Sequence, residues 1–218
     1  MVRARFIAGL TVIGAVVMAG VADATLPPPR FGRSVDIGLV SGTVIVTPPG
    51  GLPFKLGTQD RNIPIGSLID TTRGRVDLRA APPPAAGSAG ASVTAAGVED
   101  AQFYDGAFRV TQAATSPVAQ IRLTGGDVTA CASASGHLAP RGKPSHKVLR
   151  LLWASGSGRF RTVGRYSAAT VLGTKWLTED FCDGTLVRVS RGVVVVENLA
   201  THATVTVRAG HSVFTPAA

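Results

Sequence analysis

Arg75-Val76-Asp77-Leu78-Arg79 sets two apolar side chains on one side of an extended chain and three charges on the other. Successive side chains of a strand point to opposite faces, so this period-2 pattern describes a strand with one dry face and one wet face. The same pattern repeats on working outward, in Ala107-Phe108-Arg109-Val110-Thr111, in Gln120-Ile121-Arg122-Leu123-Thr124 and in Thr204-Val205-Thr206-Val207-Arg208. Val35–Val40 and Thr43–Val46 read as two strands separated by Ser41-Gly42, and Thr47-Pro48-Pro49-Gly50-Gly51 signals a turn. Val193–Val196 is apolar on both faces and is expected in a central position. Val148–Trp153 reads either as a buried strand or as a single helical turn.

Helical periodicity is nearly absent after residue 24. About a dozen short strands punctuated by Gly, Asp-Gly or Asn predict an all-β fold with mainly antiparallel pairing, in a sandwich or a β-solenoid-like domain, with a barrel as a further arrangement. The domain is expected over residues 35–215, after an extended leader at 25–34 that carries Pro27-Pro28-Pro29. Residues 80–97 are almost entirely Ala, Pro, Gly and Ser and predict a flexible loop inside the domain. Residues 137–147 predict a second loop, polar and basic.

The opening MVRARFIAGLTVIGAVVMAGVADA has the layout of a secretory signal peptide, with Arg3 and Arg5 before an apolar run and Ala22-Asp23-Ala24 as a small-x-small cleavage site. The run from Phe6 to Val21 is 16 residues, short of the roughly 20 that a membrane-spanning helix needs. Cleavage after Ala24 is the expectation, and an uncleaved N-terminal anchor is the alternative. Both place residues 25–218 outside the cytoplasm. Without Arg3, Arg5 and Asp23 the chain keeps 20 basic and 12 acidic side chains, a net of +8. Most of the cations are arginine, whose planar fork suits carboxylates and phosphates. The expected partners are an envelope protein or an anionic wall polymer, against the plainer reading of a solubilising surface charge. Export disfavours nucleic acid, and no aromatic–basic motif of the RNA-binding kind is present, so no nucleic-acid partner is expected.

Cys131 and Cys182 are the two cysteines, 51 residues apart. In an exported chain such a pair is expected to form a disulfide, worth about 4 kcal/mol in the chain-entropy model, with two free thiols as the alternative. A free Cys182 would be a candidate nucleophile, with His137 and His146 as candidate bases. Asp183 beside it would raise the thiol pKa, which is the wrong direction for a nucleophile. Sortase-like transpeptidases are exported β-barrels with Cys, His and Arg, but their Thr-Leu-x-Thr-Cys signature is missing here. The four histidines form no H-x-H or H-E-x-x-H pattern. Ser155-Gly156-Ser157-Gly158 is a turn and not a G-x-S-x-G elbow. No catalytic set, metal site or cofactor is therefore expected. The best polar constellation is Arg141, Lys143, His146, Lys147 and Arg150, a candidate contact for an anion or an acidic partner. Trp176 and Phe181 would face opposite ways on a continuous strand, which makes Trp176 a candidate contact residue or a core residue.

The C-terminal third, RFRTVGRYSAATVLGTKWLTEDFCDGTLVRVSRGVVVVENLATHATVTVRAGHSV, resembles the FecR-like domain, the extracytoplasmic part of ferric-citrate-type regulators. The motifs that carry the resemblance are Gly173-Thr174 before a strand, Gly192 before Val193–Val196, and Ala209-Gly210 closing the domain. Upstream, IPIGSLIDTTRGRVDL (Ile63–Leu78) is similar to the opening of that family. The resemblance implies an extracytoplasmic all-β module, without enzymatic activity, that contacts another protein or a wall component. Only Met1–Arg5 precede the apolar run, so a stand-alone exported form is expected, without the segment that holds a sigma factor in the regulators. The alternative is a membrane-anchored sensory partner.

Overall fold

The computed structural model describes residues 26–84, 98–129, 131 and 147–217. The strands are β1 (Ser34–Thr47), β2 (Phe54–Lys55), β3 (Arg61–Pro64), β4 (Leu68–Ala80), β5 (Glu99–Tyr104), β6 (Ala107–Thr111) and β7 (Ala119–Thr124). They continue with β8 (Arg150–Gly156), β9 (Phe160–Val163), β10 (Ser167–Asp180), β11 (Gly184–Asn198), β12 (Thr204–Arg208) and β13 (Ser212–Pro216). The fold is all-β, and the ambiguous 148–153 run resolves as strand β8. Ala24, most of the 80–97 loop, and His137, Arg141, Lys143 and His146 lie outside the described residues.

The strands form one sheet, ordered β12-β11-β10-β8-β5-β4-β6-β7-β9, and β9 returns to β10. The sheet therefore closes into a barrel, one of the three arrangements the strand pattern allowed, and not into the sandwich or the solenoid. The closing seam is the β7–β9 pairing, the one parallel pairing among the described strands. A solenoid would need stacked parallel coils, and these antiparallel ladders are incompatible with one.

Strand length is the second correction. Ser41-Gly42 does not separate two strands: β1 runs through it for 14 residues, with register shifts at Leu39/Ser41 and Thr43/Ile45. Gly173-Thr174 and Gly192 likewise lie inside β10 and β11, strands of 14 and 15 residues. Gly42, Gly173 and Gly192 have φ of 72°, 64° and 80°. A left-handed glycine inside a ladder makes a bulge that bends the strand and keeps it paired. The long strands thus turn a corner in the middle, so each covers two sides of the core.

Each long pair has a broken strand along its inner edge. β5 and β6 run in line along β4, interrupted at Asp105-Gly106. Thr71 stitches this break, its N–H donating to Gly106 O at 2.8 Å and its carbonyl accepting from Asp105 N at 3.0 Å. β8 and β9 run in the same way along β10. Inside the barrel Phe103 packs on Phe108 and Phe160 with ring centroids 5.1 and 5.8 Å apart. Ile37, Leu78, Ile121, Leu152 and Trp176 fill the remaining core. Trp176 Nε1 donates to Thr162 Oγ1 at 3.0 Å, so its polar atom is satisfied in the dry interior.

Candidate functional site

Cys131 and Cys182 form a disulfide with a Cα–Cα distance of 5.2 Å, and no cysteine is free. The bond ties Cys131 to the turn between β10 and β11, where the Tyr166 hydroxyl donates to Cys182 O at 3.2 Å. A closed pair fits a chain that works outside the reducing cytoplasm. No helix among the described residues is long and apolar enough to cross a membrane. The described residues also contain no group of three or more His, Cys, Asp or Glu placed to hold a metal.

Of the basic cluster read from the sequence, Lys147 and Arg150 lie among the described residues, and Arg150 is not a free charge. Arg150 Nε donates to Asp180 Oδ2 at 2.7 Å, and Asp180 is fully buried. Asp180 Oδ1 accepts from Arg165 N at 2.9 Å and from Thr185 Oγ1 at 2.6 Å. Arg150 is therefore half of a structural ion pair whose loss would strand a buried carboxylate. Lys147 is exposed. Trp176 has no exposed surface and Phe181 is 6% exposed, so Trp176 is a core residue and not a contact residue. Gly173 and Gly192 sit at the bends, Thr174 is buried beside them, and Gly210 (φ 83°) links β12 to β13.

The surface that does gather functional side chains is the outer face of β4, β5, β8, β10 and β11. Alternation along β10 puts Trp176 in the core and sets Lys175 and Leu177 on the opposite face, where Lys175 is half-buried and Leu177 is buried. Cross-strand register then aligns Arg75, Tyr104, Trp153, Leu177 and Arg188 in one row across five strands. Tyr104 and Trp153 stack with ring planes 4° apart and centroids 6.1 Å apart. The Arg75 guanidinium lies over the Tyr104 ring, 4.0 Å from its centroid, and Lys175 Nζ lies 5.4 Å from the Trp153 centroid. The two rings thus form a stacked pair with a cation against each of them.

Beside it runs a second row, Asp77, Gln102, Ser155, Lys175 and Arg191. Lys175 stands directly opposite Arg191, and like charges in that position repel. Arg188 is next along β11, and both arginines are exposed. None of Lys175, Arg188 and Arg191 has an ion-pair partner among the described residues. The counter-charge that acts on Arg188 is Glu179, on the same face of β10. Burial pushes its carboxyl above the usual range, and Arg188 pulls it only partly back. The chemistry on offer is three cations without an ion-pair partner among the described residues, beside an aromatic pair and the Ser155 hydroxyl.

Sequence reasoning located the bend glycines and the cysteine pair but missed this face. Tyr104, Trp153, Lys175 and Arg191 come from four strands, and only the register brings them together. The available signal was the alternation in Lys175-Trp176-Leu177, which sets Lys175 opposite a core tryptophan. No protein-family model, curated protein or solved structure matches this chain.

Proposed function

We propose that this chain is an exported, non-enzymatic module of FecR-like type that binds an anionic polymer of the cell envelope through the outer face of β10 and β11. The observation that carries this reading is the Lys175–Arg191 opposition beside Arg188, three cations with no ion-pair partner among the described residues. A fold that tolerates such repulsion gains most when an anion fills the space. The excess of 22 Lys and Arg over 13 Asp and Glu supports the same class of partner. The disulfide supports the extracytoplasmic setting.

The test is retention on purified cell-wall polymer at rising salt. The native chain is expected to bind at low ionic strength and to elute as screening shortens the reach of the charges. The triple substitution Lys175→Gln, Arg188→Gln, Arg191→Gln is expected to weaken binding at least tenfold while melting at the native temperature. Unchanged retention of the triple variant would reject this face. Loss on neutralising Arg141, Lys143 and Lys147 alone would move the contact to the basic loop.

A further inference from the structure

The sheet has two outer edges, and they are finished differently. On the N-terminal side β2 and β3 lie along β1. Ile65 N donates to Arg33 O and Leu56 N to Val44 O, both at 2.9 Å, which fixes the phase of both ladders. Bonded pairs alternate along an antiparallel ladder. The backbone groups that point away from the sheet therefore belong to Asn62 and Pro64 on β3, and to Lys55 and the flanking Pro53 on β2. Both prolines lack an N–H, the Asn62 side chain is engaged by Asp36 at 2.6 Å, and the strands are four and two residues long. Short strands, proline and lysine are the devices that stop a further strand from adding.

On the C-terminal side β12 and β13 lie along β11, and the devices are missing over β12. Asn198 N donates to Ala203 O at 2.9 Å and Ala209 N to Gly192 O at 3.0 Å. The same alternation turns the backbone groups of Thr204, Thr206 and Arg208 outward; Arg208 O accepts from His211 N at 3.1 Å, and those of Thr204 and Thr206 have no backbone partner among the described residues. Along β13 the outward positions are Ser212, Phe214 and Pro216, so a proline blocks only the far end. The inner face of this edge is also incompletely covered. Val205 is 46% exposed, although it points to the same side as the buried Val207. Two hollows of about 310 and 200 Å³ lie along the edge, the first against Val205, Val207 and Val213, the second against Val196, Val205 and Thr215.

We infer that the β12–β13 edge is a strand-addition site for an extended acidic segment of another protein. The outward N–H and C=O groups would form the ladder. Apolar side chains at alternate positions would enter the two hollows, as in other strand-augmented complexes. The acidic character follows from charge. Arg208, His211 and Arg188 border the edge, and no acidic side chain follows Glu197 in the chain. Glu197 is itself held by Arg161 at 2.7 Å and His202 at 2.8 Å. The same charge disfavours a second copy of this chain as the occupant.

The experiment uses the full chain and two synthetic peptides of about ten residues, one alternating Val and Glu and one alternating Val and Lys. Fluorescence anisotropy is expected to show the Val-Glu peptide binding at least tenfold more tightly than the Val-Lys peptide. Thr206→Pro removes an outward N–H without removing a ladder bond, and is expected to weaken the Val-Glu peptide at least tenfold at an unchanged melting temperature. Val205→Lys places a charge on the open inner face and is expected to do the same. Binding that survives both substitutions would overturn the inference, as would equal affinity for the two peptides or no binding of either. Dimerisation of the native chain that Thr206→Pro abolishes would also overturn it, by giving the edge to a second copy. Wall-polymer retention is expected to be unchanged in Thr206→Pro, so the two sites succeed or fail separately.

Discussion

The β1–β4 pair and the β10–β11 pair solve one problem with different tolerances. Both are long antiparallel pairs that bend at facing glycines. In the first, Gly42 pairs directly with Gly74, and each is hemmed in by the opposite backbone. A Cβ on Gly42 would lie 2.3 Å from Arg73 O, and one on Gly74 would lie 2.6 Å from Thr43 O. In the second, a Cβ on Gly192 would meet Thr174 Cγ2 at 2.6 Å, but one on Gly173 would meet nothing within 4 Å. One bend is locked by backbone contact on both sides. The other is locked on one side and open on the other. A glycine in a bent strand can thus be required by close approach, by its φ, or by both, and the sequence does not distinguish these.

The largest effect is expected where approach and φ combine. Gly42→Ala forces two backbones apart at a left-handed φ and should cost about 3 kcal/mol or more. Gly74→Ala should fall close behind, from approach alone. Urea unfolding of both variants would show it, and a loss as small as that of Gly173→Ala would erase the contrast between the bends. Gly173→Ala meets only the φ penalty and should cost about 1–2 kcal/mol, with Gly173→Asn costing less because asparagine visits that conformation more readily. Equal losses for Ala and Asn at this position would mean that something other than φ holds the bend.

The smallest effect is electrostatic and has opposite signs at two sites of the C-terminal half. Burial raises the Glu179 carboxyl, so the folded chain takes up a proton at a higher pH than the unfolded chain does. Glu179 therefore works against folding at neutral pH and stops doing so as the pH falls through its raised value. Glu179→Gln should be slightly more stable than the native chain at pH 7, with the gain vanishing in acid. His202 and Arg161 lower the Glu197 carboxyl by hydrogen bonding. Its contribution is present above the ordinary glutamate value and is lost as the pH falls through the lowered one. Glu197→Gln should be slightly less stable at pH 7, with the deficit closing in acid. Both differences should stay below about 1 kcal/mol, as for other partly exposed charges. Denaturant midpoints at pH 7 and at acid pH would read both, and two differences of the same sign would refute the assignment.

Local chemistry was legible in the sequence, and long-range register was not. The alternations at 75–79, 107–111, 120–124 and 204–208 all lie in strands, because period 2 reports a half-buried strand wherever it pairs. The breaks at Ser41-Gly42 and Gly173-Thr174 were misread because a bulge glycine and a turn glycine have the same composition. Only the facing strand decides whether the chain continues or reverses. Val193–Val196 misled for a related reason. β11 is paired on both edges as expected, yet Val195 is 41% exposed, because none of the described residues forms a second layer over it. Arg150 looked like a free loop cation until Asp180, 30 residues further on, claimed it. The Tyr104–Trp153 stack was out of reach for the same reason, since neither residue carries any mark of the other.

The route by which the barrel closes sets a timetable for folding. The β10–β11 pair joins neighbouring segments through the short Phe181–Asp183 turn and can form on its own. The β5–β8 ladder sets Tyr104 against Trp153 and must wait for the whole intervening stretch to return. Loop closure comes before such contacts gain anything, so assembly belongs with the millisecond-to-second β domains and not with fast helical bundles. Until β8 arrives, both long pairs hold their apolar sides open to any other unfinished chain. The yield of native protein on refolding should therefore fall as concentration rises, a practical constraint that originates in the late β5–β8 ladder.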